Sequence, residues 1–222
     1  MQIDINKILE NALNIYHYGS FVYGTFVEGT SDYDYIVILP DRYTEIDKEQ
    51  HMEANCQYSF YTQSTWQTML DENEVCAIET YFLPKKYIVK ETIKFTTTII
   101  PDKIRENFSH VASNSYVKCK KKLVVADSFA PRIAKKSLWH SLRIIDFGIQ
   151  ILKSGAILSY RSMNHLYDEI VLCESNDWEY YKNKYKPFYN SSKRSFACAL
   201  QRNKINPTDF RGVCCYLGYY CN

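Results

Sequence analysis

The sequence predicts an α+β fold: an N-terminal mixed sheet flanked by helices, followed by a mainly helical C-terminal domain. Three observations carry this. The first 90 residues mix helical and strand-like apolar spacing. From about residue 101 the pattern is helical and carries most of the lysine clusters. Pro131 then opens a stretch in which Leu138, Leu142, Ile145, Ile149 and Leu152 step by 4, 3, 4 and 3, a buried helical stripe. The expected boundary lies near 90–105, giving domains of 1–95 and 96–222.

Taken in order, Ile5, Ile8, Leu9, Ala12 and Ile15 predict a helix over 3–15. A strand, a glycine turn and a second strand follow in the segment from Gly19 to Pro40. Residues 41–53 are polar and read as a loop or short helix. Residues 57–61 (Gln-Tyr-Ser-Phe-Tyr) read as a strand. Thr62 to Ser64 offer N-caps for a helix through about Leu70. An apolar run over 74–83 ends at Pro84. In the second half, helices are expected over 101–125, from Pro131 to a cap at Gly155, over 162–172 and over 191–202.

Composition restricts function only loosely. The chain has 222 residues and a formal net charge of +2, which neither demands nor excludes nucleic acid. No apolar run approaches the roughly 20 residues of a membrane span. Residues 1–16 carry Asp4, Lys7 and Glu10 and do not read as a signal peptide. The expectation is a cytoplasmic protein with no membrane partner. Eight cysteines show no zinc-ligand spacing. Cys214, Cys215 and Cys221 lie close together, but small apolar packing is the expected role for the cysteines.

The chemistry is concentrated in GSFVYGTFVEGTSDYDYIVILP. This segment holds 3 of the chain's 7 glycines and two acids, Asp32 and Asp34. Residues i and i+2 of a strand share a face, roughly 6–7 Å apart at Cα. Two carboxylates so placed repel unless a cation lies between them. Oxygen ligands of this kind suit Mg²⁺ or Mn²⁺. Behind them Tyr35 to Leu39 are apolar on both faces, as in a central strand, so the acids stand at the exposed start of a rigid element. Gly19-Ser20 is a turn whose N–H groups and hydroxyl can hold phosphate. Gly24-Thr25 and Gly29-Thr30, followed by Ser31, permit the return that brings the turn beside the acids.

Gly-Ser, Gly-Thr and Ser-Asp-x-Asp together resemble the active-site motif of the polymerase-β-like nucleotidyltransferase superfamily. More narrowly, GSFVYGTFVEGTSDYDYIV is similar to stand-alone predicted nucleotidyltransferases of bacteria and tailed phages. RENFSHVASNSYVKCKKKL and KKSLWHSLRIIDFGIQILKSGAI extend the similarity more loosely over most of the chain. The resemblance implies transfer of a nucleoside monophosphate from an NTP, such as ATP, to a hydroxyl. Asp32 and Asp34 would be the catalytic metal ligands, with Mg²⁺ or Mn²⁺ as cofactor. Gly19, Ser20, Thr25 and Ser31 would bind nucleotide. The acceptor is left open: an RNA, such as a tRNA or an RNA end, a protein hydroxyl or a small molecule. A phage origin would place the protein in the host cytoplasm.

One position departs from the pattern. Active members of that superfamily carry a third carboxylate on the neighbouring strand. The matching residue here is Gln57, with Glu53 and Glu79 as alternatives. The second hypothesis is therefore a catalytically silent relative that binds nucleotide, RNA or a partner protein. In the helical half, Lys136, His140 and Arg143 share a helix face, which is either a solvated basic surface or a nucleotide-facing one. Lys118, Lys120, Lys121 and Lys122 form a second basic cluster. With Arg105, Lys135 and Lys136, and with Tyr116 and Trp139 for stacking, it could track a polynucleotide backbone.

Overall fold

The computed structural model describes residues 4–205. It divides into two compact units, Met1–Thr98 and Ile99–Asn222, each with its own packing. The expected α+β architecture is observed, with a five-stranded sheet in the first unit and helices throughout the second.

In the first unit, α1 spans Ile5–Asn11 and is capped by Asp4, whose side chain accepts from the Lys7 N–H. It is followed by β1 (Asn14–Tyr18), α2 (Gly19–Tyr23) and β2 (Tyr33–Leu39). Then come β3 (Gln50–Glu53), β4 (Cys56–Thr62), α3 (Gln63–Asp71), α4 (Val75–Tyr81) and β5 (Ile88–Glu91). The sheet order is β3-β4-β2-β1-β5. β2 pairs parallel with β4, while β1–β2, β1–β5 and β3–β4 are antiparallel, so the sheet is mixed.

Three expectations are corrected here. The first helix ends at Asn11 instead of running to 15, because Asn14 is committed to the sheet. Its buried amide donates to the Tyr16 hydroxyl (2.7 Å) and the Ile93 carbonyl (2.9 Å), and accepts from the Thr92 and Ile93 N–H groups. The apolar spacing misleads because Ile5, Ile8, Ala12 and Ile15 all enter one core cluster with Val37, Leu39 and Phe60, although the chain leaves the helix midway. The polar stretch 41–53 holds a 3-10 turn at Thr44–Ile46 and also the exposed edge strand β3, whose residues give no strand signal. Strand β5 is likewise absent from the sequence reading. The Thr62 cap is observed, its hydroxyl accepting from the Thr65 N–H.

The second unit contains α5 (Pro101–Val124), α6 (Pro131–Ser154), α7 (Tyr167–Val171) and α8 (Trp178–Ile205). The α6 stripe is buried as expected at Leu138, Leu142, Ile145 and Leu152, while Ile149 is only half-buried. Gly155 ends α6 in a left-handed conformation, its N–H donating to the Ile151 carbonyl. Burial continues around α6 through Ile144, Phe147, Gly148 and Ile151, because α5, α7 and α8 all pack on it. The helix expected over 162–172 is instead a 3-10 turn at Asn164–Leu166 leading into the short α7. The one expected over 191–202 is the end of the much longer α8, which runs through Pro187. The cluster of Cys214, Cys215 and Cys221 lies outside the described residues.

Gly148 shows how tightly α8 seats on α6. A Cβ there would stand 2.8 and 2.9 Å from the Cε atoms of Phe196. Gly148→Ala therefore forces the Phe196 ring outward. The expected cost is about 1–3 kcal/mol, measured as a lower urea midpoint at unchanged slope.

Candidate active site

The site is built at the end of two neighbouring strands. β1 runs out at Tyr18, which lies opposite Asp34 of β2. Gly19 then turns the chain into α2 with φ of +62°, a conformation that a side chain disfavours. A Cβ at Gly19 would collide with the Asp34 carboxyl group, only 2.6 Å from its carbon. The Gly-Ser turn thus lies directly against the second acid, with the Gly19 backbone occupying the space a side chain would need. Asp32 is exposed, two residues upstream in the segment entering β2.

The loop between α2 and β2 is closed by local hydrogen bonds. Gly24 caps α2 with φ of +72°, and the Thr25 N–H donates to the Ser20 carbonyl at 3.0 Å. The Val27 carbonyl accepts from the Thr30 and Ser31 N–H groups, while the Ser31 hydroxyl accepts from the Val27 N–H at 3.0 Å. Thr25 and Ser31 thus brace the loop that leads to Asp32. Aromatic rings back it: Phe21 packs on His17, Phe26 and Tyr33, with centroids 4.6–5.7 Å apart. His17 is held below its ordinary pKa by burial.

Across the sheet, the register puts Gln57 of β4 beside Asp34, and Met52 of β3 beside Gln57. The neutral amide therefore occupies the strand position where the resemblance implies a third carboxylate. Glu53 is exposed and pairs with Cys56, one step further along. Among the described residues no three His, Cys, Asp or Glu side chains group to hold a metal ion. At this end of the sheet the two aspartates, the Gln57 amide and, one step along, the exposed Glu53 carboxylate offer oxygen donors. Two carboxylates of this kind fit a divalent ion that draws its remaining oxygens from phosphate.

Glu79 has another role than the third carboxylate considered for it. It lies on α4, fully buried, and its Oε2 accepts from the Tyr18 hydroxyl (2.8 Å) and the Tyr23 hydroxyl (2.6 Å). These two tyrosines flank α2, one just before Gly19 and the other at the last residue of the helix. Glu79 therefore ties both ends of the Gly19-Ser20 segment to α4. Sequence reasoning missed this brace because the partners are 61 and 56 residues apart. Nearby Cys76 is half-buried, and desolvation, with Glu79 alongside, pushes its thiol up to about 12, so it stays protonated.

In the helical unit, Lys136, His140 and Arg143 do not make one basic surface. Lys136 is exposed, but Arg143 is 1 % exposed, its guanidinium lying over the rings of Trp139 and Phe147. Its Nη2 lies 2.9 Å from the Nδ1 of His140. Arginine can only donate, so His140 accepts at Nδ1 and carries its proton on Nε2. Burial, with Arg143 and Lys118 nearby, pushes the imidazole down to about 3, so His140 is neutral at pH 7. The lysine patch is also smaller than expected. Lys135 is buried and donates to the Cys173 carbonyl at 2.5 Å. Trp139 is buried with its indole N–H on the Met163 carbonyl, so it offers no stacking surface.

The His140 shift has a stability consequence. Its folded pKa lies below the unfolded value of about 6.5, so between these limits the unfolded chain binds more protons. Stability is complete above pH 6.5 and falls as pH drops towards 3. On going from pH 7 to pH 5 the loss from this group is up to about 2 kcal/mol. Urea unfolding at the two pH values should show a smaller gap for His140→Asn than for the wild type.

No protein-family model matches the chain, and no match was found among curated proteins. Among solved structures, it is similar to a nucleotidyltransferase-like protein from Exiguobacterium sibiricum. The identity is 11% and the TM-score 0.29, covering 90% of this chain and 72% of the other. Among the described residues, no helix is long and apolar enough to cross a membrane.

Proposed function

We propose that the chain is a nucleotidyltransferase, moving a nucleoside monophosphate from an NTP to a hydroxyl acceptor. The observation that carries this reading is the direct apposition of the Gly19-Ser20 turn and Asp34 at the end of β1 and β2. It sets a glycine turn against a carboxylate, with a second carboxylate two residues away. Gly19 and Ser20 would hold the triphosphate through N–H groups and the Ser20 hydroxyl. Asp32 and Asp34 would hold Mg²⁺ or Mn²⁺. When bound, such an ion neutralises phosphate charge and acidifies the attacking hydroxyl. In the transfer, the acceptor oxygen bonds to the α-phosphorus. The bond from that phosphorus to the bridging oxygen breaks, and pyrophosphate leaves with the electron pair. The hydroxyl proton goes to solvent, since Gln57 beside Asp34 is no base.

Gln57 also supports a second reading, a nucleotide-binding protein that catalyses no transfer. Incubation with each α-labelled NTP, Mg²⁺ or Mn²⁺, and cellular RNA and protein separates the two. The transferase reading expects label in an acceptor fraction. The binder reading expects nucleotide retention without label transfer.

A further inference from the structure

The helical unit contains a cavity of about 600 Å³ between the end of α5 and the start of α8. That volume lies within the range of small-molecule and cofactor sites. Its wall is mixed in a specific way. Tyr116, Trp178, Leu123 and Val124 supply apolar and aromatic surface, and Lys120, Lys182 and Lys186 supply cations. Tyr116 stacks on Tyr189 at 4.5 Å and meets the edge of Trp178 at 5.5 Å, so its ring is held rigidly. Its hydroxyl is buried and has no hydrogen-bond partner among the described residues.

The two acids of the wall are already engaged. Asp177 caps α8, accepting from the N–H groups of Glu179 and Tyr180. Glu179 pairs with Lys182 at 2.8 Å. Lys120 and Lys186 make no ion pair among the described residues, and both are exposed. Beyond the cavity Lys118 and Lys121 continue the positive charge along the last turns of α5, also exposed. An aromatic wall beside uncompensated cations is the chemistry that takes a base on its π-face and phosphates on ammonium groups.

The geometry points to a binding site for single-stranded nucleic acid, with one nucleotide in the cavity and flanking phosphates on Lys120 and Lys186. Calling that strand the acceptor rests on the transferase reading, but binding does not.

The test is fluorescence anisotropy of labelled 12-nucleotide RNA and DNA oligomers of mixed sequence, without NTP or metal, over a salt series. The full chain is compared with Lys120→Ala/Lys186→Ala, Tyr116→Leu and Lys153→Ala. Wild type should bind, and the double lysine variant should bind at least tenfold more weakly. Its log-log salt slope should fall by about 1.4, two single-strand phosphate contacts' worth. Tyr116→Leu should lose about tenfold through stacking, and Lys153→Ala, an exposed lysine at the far end of α6, should bind like wild type. The RNA and DNA arms identify which strand is preferred. Absence of binding to either oligomer at low salt overturns the proposal, as does unchanged affinity in the double lysine variant, whose surface positions leave folding intact. Binding without label transfer would leave this site standing and remove the transferase reading.

Discussion

Gly19→Ala is expected to reduce nucleotidyl transfer by at least about 100-fold while the sheet stays folded. Two effects act together. The backbone at Gly19 has φ of +62°, which costs an alanine on the order of 1 kcal/mol. The new methyl also needs the space that the Asp34 carboxyl occupies. Asp34 stands at the start of a strand whose next residues, Ile36 to Leu39, are buried, so its backbone cannot retreat. The carboxylate or the turn must move, and displacement of about 1 Å in a positioned site costs on the order of 10² in rate. Label transfer and circular dichroism on the same sample separate lost activity from lost fold. Gly29 is the control: it also has positive φ, +75°, but a Cβ there meets nothing within 4 Å. Gly29→Ala should show the backbone cost without the loss of transfer.

The second large effect is expected at Glu79. Glu79→Ala removes the acceptor of both tyrosine hydroxyls and leaves a buried hole beneath α2. An unsatisfied buried hydroxyl costs about 1–3 kcal/mol, and Tyr23 is buried. The total should be about 3 kcal/mol or more, read as a fall of at least about 10 °C in thermal midpoint for a unit of this size. Tyr23→Phe removes one hydrogen bond without the hole and should cost only about 1 kcal/mol. If Glu79 acts by holding the Gly19-Ser20 segment, Tyr23→Phe should also raise the KM for NTP at temperatures where the protein is fully folded.

These two residues show unequal legibility. The Gly19-to-Asp34 segment stood out because glycines and paired acids are punctuation with few alternative uses, and because β2 is apolar on both faces. Gln57 could be placed beside Asp34 because both strands were readable and their parallel register is regular. Glu79 was harder, since its role depends on two tyrosines far away in sequence, in a chain with 20 of them. Arg143 is illegible for a different reason. Helical spacing set it on a basic face, but a guanidinium can be buried when aromatic rings and a neutral histidine surround it. The helix boundary at Asn11 was hidden because Ile15 keeps the apolar spacing after the backbone has become a strand. The short strands β3 and β5 carried no period long enough to read.

The most direct test of the central claim is label transfer by wild type, Asp32→Asn and Asp34→Asn. The three are run side by side with all four α-labelled NTPs and both divalent ions. The account predicts label in one acceptor fraction with wild type, and its loss in both variants with folding unchanged. Label that persists in Asp34→Asn would contradict it, as would no transfer by wild type under any condition.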